Sequence, residues 1–189
     1  MATARSIGQI KSALLRPSLT SKFSVEIQSP QGVQDFNSTT KDEFHMSCSE
    51  ASLPGVSLNT QEITDDRHGV TERNAYRRMY DDRIDLTFYV EGRDYMQIRY
   101  FENWINFITG ENSVNERASR AYNYRVKFPN DYKSLMKVSK FEKEDDRERL
   151  TYNFIDSYPI AINSMPLSYS STDLLKCTVS MTYLRYIVT

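Results

Sequence analysis

Cysteine is scarce: Cys48 and Cys177 are the only two in 189 residues. They share no CxxC or metal-ligand spacing, and a chain of this length buries roughly 70% of its unfolded surface without disulfide staples. Both fall on apolar phases of predicted strands, so each reads as a buried free thiol. Histidine is equally sparse, and neither His45 nor His68 has a carboxylate or cysteine placed to complete a zinc site. No stretch reaches the roughly 18 to 20 apolar residues of a membrane helix, so membrane insertion is not expected. Lys+Arg number 24 against 25 Asp+Glu, a balance that creates no field to draw in nucleic acid or anionic lipid. With six glycines there is no phosphate-cradling loop, nucleophile elbow or calcium loop. The adjacent acids Asp65-Asp66, Asp81-Asp82 and Asp145-Asp146 sit at loop or turn positions and read as turn formers. No catalytic, cofactor-binding or metal-binding constellation is expected, and the chain reads as a non-enzyme.

What is present is alternation. In Leu174 to Val188, Leu175, Cys177, Val179, Met181 and Tyr183 alternate with Lys176, Thr178, Ser180 and Thr182. From Asp82 to Glu91, Ile84, Leu86, Phe88 and Val90 alternate with Arg83, Asp85, Thr87 and Tyr89. A two-residue period marks strands with one buried and one wet face. Phe23, Val25 and Ile27 predict a first strand, and a polar loop runs from it to Asp42. Glu43 to Leu53 reads as a second strand with Phe44, Met46 and Cys48 inward and His45 on the wet face. Leu53-Pro54-Gly55 makes a corner before extended structure resumes over Val56 to Ile63.

Thr64 to Asp82 has neither period, mixes acids with arginines, and predicts a long extended arm. Tyr95 to Thr109 predicts a helix with Ile98, Phe101, Trp104, Ile105 and Ile108 on one face and Gln97, Arg99, Glu102, Asn103 and Asn106 on the polar one. Asp94 with Gln97 resembles a capping box, and Gly110 supplies the stop. A strand near Tyr132 to Lys143, a charged turn at Glu144 to Arg147 and a strand from Arg149 to Ser157 form a hairpin. Tyr158-Pro159-Ile160 then punctuates the chain on its way to the last strand. Residues 1–22 read as a basic amphipathic segment for docking on a neighbour or, alternatively, for targeting. No domain boundary interrupts residues 1–189.

The ordered series of these features resembles the tail tube proteins of contractile-tailed, T4-like bacteriophages. It runs from Arg16-Pro17 before the first strand through Cys48 to Pro54 (CSEASLP), the arm closing on Tyr80-Asp81-Asp82, and the helix with Phe101, Trp104 and Ile108. Tyr158-Pro159, Met165-Pro166-Leu167-Ser168-Tyr169 and Ser171-Thr172-Asp173 lead into the tyrosine-rich last strand. The resemblance implies a mainly β fold, an antiparallel barrel or sandwich with one flanking helix and a long inter-strand arm. It implies hexameric rings stacked into a hollow conduit through which genome DNA passes transiently. The tail sheath, a baseplate hub or tube initiator, and the tape measure protein are then the partners, in the virion tail assembled in the host cytoplasm. Asp65, Asp66, Arg67, Glu72, Arg73, Tyr76, Arg77 and Arg78 are the expected inter-ring contacts. Glu26, Asp85, Thr87, Thr178, Ser180 and Thr182 are the expected lumen-facing residues. A tube initiator of the baseplate or the tube of a related injection system is the alternative. A small-molecule-binding barrel is the more distant one and requires a closed apolar cavity.

Overall fold

The computed structural model describes residues 8, 18–33, 38–64, 69, 71–110, 125–142, 145–170 and 172–189. Its strands are β1 (Phe23–Ile27), β2 (Cys48–Ala51), β3 (Val56–Ile63), β4 (Glu72–Tyr80), β5 (Arg83–Tyr89), β6 (Ser134–Glu142), β7 (Asp145–Ile162), β8 (Lys176–Thr182) and β9 (Arg185–Val188). The helices are α1 (Ser38–Met46), α2 (Met96–Thr109) and the single turn α3 (Pro129–Tyr132). The mainly antiparallel β architecture expected from the sequence is present.

Strands β1-β6-β7-β8-β5-β2 pair in that order, and β9 joins β7. The 18-residue β7 belongs to two sheets. Its first part lies between β6 and β9, while Tyr158 to Ile162 pair with β8. The change of partner falls at Asp156, whose φ is 60°, a left-handed value that Asp tolerates better than most residues. Lys133 Nζ lies 3.5 Å from its carboxylate. The hairpin expected to end at Ser157 therefore continues, and the charged turn begins the strand at Asp145. Pro159 is accommodated because a register irregularity separates it from Ala161, one of the few strand settings that accept a proline.

The alternating phases converge between the two sheets. Val25, Ile27, Met136, Val138, Phe154 and Tyr186 come from one; Ile84, Leu86, Phe88, Cys177, Val179 and Met181 come from the other. The thiols are free, Cys177 buried and Cys48 half-buried, and burial pushes them up to about 11 and about 12 respectively. Helix α2 adds Met96, Tyr100, Phe101 and Trp104 to this core. Trp104 Nε1 donates to Tyr132 O at 3.0 Å, so the buried indole has its partner. Gly110 ends the helix with φ 75°, the left-handed conformation glycine adopts without steric cost. At the other end the N-cap is Tyr95, not Asp94, and no side chain caps it. Gln97, expected on the wet face, is buried: its Oε1 accepts from Glu91 N–H and its amide donates to Ser47 Oγ.

The second predicted strand is mostly helix. Residues 38–46 form α1, and only Cys48–Ala51 is extended. Three apolar residues on alternate positions are too few to separate a strand from a helix segment. Tertiary need decides: β1 and β2 are the two ends of the strand order, and α1 packs on both. Phe44 fills the gap between them, stacking on Phe88 at 5.3 Å and meeting Tyr100 edge-on at 5.1 Å, while Met46 is 84% exposed. His45 is half-buried on the helix, not on a wet strand face, and its Nε2 accepts Ile27 N–H at 3.2 Å.

His45 titration reflects that placement. Burial holds its pKa below the ordinary 6.5, and Lys41 pushes the same way against Glu26 and Asp42. The unfolded state therefore binds the proton more readily, and stability falls as pH drops from 6.5 through the folded value. Protonating Nε2 also removes the acceptor for Ile27. Thermal unfolding from pH 7.5 to 5 should show a decline in Tm that His45→Gln reduces; equal declines in both proteins would contradict this role.

Candidate assembly surfaces

Cross-strand register gathers most of the predicted lumen residues onto one face. Arg83 lies opposite Thr182, Asp85 opposite Ser180 and Thr87 opposite Thr178; residues so paired share a sheet face. Ser180 Oγ donates to Asp85 Oδ1 at 2.6 Å, and the Thr87 and Thr178 hydroxyls are 3.1 Å apart. Glu50 of β2 continues the row from Thr87. Two basic residues of these strands are exposed: Lys176, whose Nζ sits 5.3 Å from the centroid of the Tyr89 ring, and Arg83. Glu26 does not join this face. It belongs to β1 in the other sheet, where its carboxylate lies 4.0 Å from Lys137 Nζ.

The sheet bearing this face, β7-β8-β5-β2, is incomplete at both sides. Among the described residues β2 pairs only with β5, and β7 beyond Ser157 pairs only with β8. Open edges present rows of backbone donors and acceptors that bind another strand.

The arm is more regular and longer than expected. Strands β3 and β4 form a separate two-stranded ribbon, with Val56 opposite Tyr80 and Ile63 opposite Glu72. Thus the stretch from Glu72 to Tyr80 is a strand, and the arm begins at Val56 instead of Thr64. Alternation is absent from β4 because neither ribbon face is buried. A register shift at Asn59/Thr60 leaves Tyr76 unpaired in the bulge and 65% exposed. Glu72 and Arg77 are exposed; Arg73 is held by Glu62 within the ribbon at 2.8 Å, and Arg78 turns back over the Tyr80 ring at 4.8 Å. Asp65, Asp66 and Arg67, with His68, lie outside the described residues. So does most of the basic N-terminal segment.

The ribbon also carries apolar contact candidates that the sequence reading missed. Val56, Leu58 and Ile63 are exposed, Leu58 by 62%. Their signal is the alternation of Val56 and Leu58 with Ser57 and Asn59. A two-stranded hairpin with exposed apolar side chains is marginal alone and gains stability when another surface covers it.

A sequence model of the family described as phage tail tube protein matches residues 18–189. The chain belongs to that family. As a tail tube protein it is a structural subunit, consistent with a site made of strand edges, a polar face and an arm. A comparison with curated protein sequences finds no match. Among solved structures, a chain from the sheath-tube complex of the extracellular contractile injection system PVC in its extended state is similar at 19% identity. The match covers 98% of this chain and 99% of that one, with a TM-score of 0.57. A chain from the PVC sheath/tube terminator is 14% identical, covering 92% and 97%, with a TM-score of 0.55. One from the 6-fold symmetrised baseplate of the anti-feeding prophage is 11% identical, covering 92% and 96%, with a TM-score of 0.55. These similarities establish a shared fold.

Among the described residues of this tube protein no group of three or more His, Cys, Asp or Glu side chains could hold a metal ion. No described helix is long and apolar enough to cross a membrane. The cleft lined by Phe23, Ala51, Leu53, Leu150 and Tyr152 opens between β1 and β2 at the surface; it is not the closed apolar cavity that a ligand-binding barrel requires.

Division of labour between body and arm gives a stability test. Phe88→Ala in the buried core should cost about 3 to 5 kcal/mol. Leu58→Ala on the ribbon should stay within about 0.5 kcal/mol in the dissociated subunit. Chemical denaturation of each variant measures both; a large loss from Leu58→Ala would place the ribbon in the core.

Proposed function

We propose that the chain is the main tube subunit of a contractile tail, closing head-to-tail into hexameric rings that stack into a hollow tube. The observation carrying this reading is the β7-β8-β5-β2 sheet, which among the described residues is open at both sides and is polar on its outer face. Because β2 is antiparallel to β5 and β8 to both β5 and β7, β2 of one copy runs antiparallel to β7 of the next if the sheet continues. The two edges are different surfaces, so their contact is heterologous, and a heterologous contact closes as a ring when the rotation divides a full turn. Six copies match the symmetry of the anti-feeding prophage baseplate that contains a chain of this fold.

In this ring Asp85, Thr87, Thr178 and Thr182 line the lumen, and Ser180, only 5% exposed, supports them through its hydrogen bond to Asp85. Each phosphate neutralised by a cation adds salt-dependent affinity, so a wall of hydroxyls and carboxylates lets DNA pass without being held. Glu26 faces away, on the sheet that meets the sheath. The ribbon crosses to the adjacent ring, where Tyr76, Arg77, Glu72, Leu58 and Ile63 find their cover. Exposed ion pairs contribute only about 0 to 1 kcal/mol each, so the apolar residues supply affinity and the charges fix register. The tube belongs to the virion tail and is assembled in the host cytoplasm, with tape measure protein inside it and the baseplate below.

Negative-stain microscopy of concentrated protein should show rings and hollow rods. A subunit that stays monomeric across protein and salt concentration would overturn the proposal. Replacing residues 57–79 by a short Gly-Ser linker should preserve the β circular dichroism spectrum and the rings yet abolish rods; rods of normal length would remove the arm from stacking.

A further inference from the structure

The ribbon leaves the body through two adjacent peptide strands, at Pro54-Gly55 and Tyr80-Asp81, and β3 and β4 pair with no other strand among the described residues. A strand of eight residues spans about 27 Å at about 3.4 Å per residue. A tilt of roughly 10° at the root therefore moves the tip by about 5 Å, well outside hydrogen-bond tolerance. An element that must meet a neighbour needs its exit angle fixed, and two backbone connections do not fix it.

One set of side chains at the root does. Tyr80, the last residue of β4, meets the Tyr186 ring edge-on at 5.2 Å between centroids. The Arg78 guanidinium lies over both rings, 4.8 Å from Tyr80 and 5.9 Å from Tyr186. On the other strand, Tyr186 Oη donates to Pro54 O at 3.5 Å, Gly55 N–H donates to Asp81 Oδ2 at 2.5 Å, and Asp81 N–H reaches Gly55 O at 3.5 Å. Tyr186 thus touches both strands at the root of the ribbon. It is itself firmly held: 5% exposed, on β9, packed against Tyr152, Phe154 and Tyr183.

We propose that Tyr186 is the positioning residue of the arm, clamping Tyr80 and Arg78 from one side and Pro54 from the other so that the ribbon leaves the body at one angle. The rings and the cation over them supply orientation, since both contacts are directional. The hydroxyl bond to Pro54 is long and secondary. This inference rests on the proposed inter-ring role of the arm for its consequence, but not for its geometry.

The test uses the full chain carrying nitroxide labels on p-acetylphenylalanine at Gln61 of the ribbon and Glu26 of β1, diluted with unlabelled protein. Double electron-electron resonance should give a narrow distance distribution in the parent and in Tyr186→Phe, which keeps the ring. Tyr186→Leu should broaden it at least twofold. Tyr80→Leu, at a half-buried site outside the central core, should broaden it equally, and the double variant no further, because both act through one contact. A parent-like width in Tyr80→Leu overturns the clamp, whatever Tyr186→Leu does to folding. Rod formation separates the two ideas. If the linker replacement of the arm abolishes rods while Tyr80→Leu and Tyr186→Leu stack normally with narrow distances, the arm's role stands and the clamp fails. If rods survive arm replacement but these leucine variants still broaden, the clamp stands and the stacking role fails.

Discussion

Backbone hydrogen bonding that one copy leaves incomplete governs this molecule. Every strand of the body is satisfied on at least one side, yet among the described residues the outer edge of β2 and the far part of β7 are not paired on the other. Buried backbone groups without partners are costly, so a sheet with two such edges is stable in isolation only while water covers them. In the proposed ring a second copy of the chain supplies the strand that each edge lacks. The polar face, the charge balance and the exposed ribbon all acquire a purpose from that constraint.

The body makes this economical by sharing β7 between two sheets. The partner change at Asp156 folds one long strand around the aromatic core, so the hydrogen-bonded framework of both sheets is mechanically continuous. Helix α1 then fills the place where the two ends of the strand order approach, with Phe44 joining Phe88, Phe101 and Tyr100. Tyr186 links that interior to the arm's root. The core thus reaches, through one buried ring, the ribbon that pairs with neither sheet.

Much of the body is legible in the sequence because burial imposes a two-residue period. Strands β1, β5 and β8 can be read from Val25 and Ile27, from Ile84, Leu86 and Phe88, and from Cys177, Val179 and Met181, all of which are buried. Helix α2 is equally legible from Phe101 and Trp104. The ribbon strand β4 is not, since a strand exposed on both faces has no reason to alternate. Helix α1 is mistaken for a strand because alternation over three residues is too short to exclude a helix: Phe44 turns inward, Met46 two positions on faces solvent, and Cys48 already belongs to β2. Among the proposed lumen residues, alternation places Asp85 with Thr87 on one face of β5 and Thr178 with Ser180 and Thr182 on one face of β8, but only the register joins those two faces and separates Glu26 from them.

The amino-acid sequence by itself determined which residues of β1, β5 and β8 turn their apolar side chains inward, that the chain is mainly antiparallel β, and that its few histidines and cysteines stand at no metal-ligand spacing. Those properties are local, fixed by side-chain chemistry and period. Tertiary structure decided which strands neighbour one another, where β7 changes sheets, which edges stay open, and that Tyr186 meets Tyr80 from a distant part of the chain. Such choices depend on competition among distant surfaces for the same space and the same backbone partners, and no local pattern encodes the outcome.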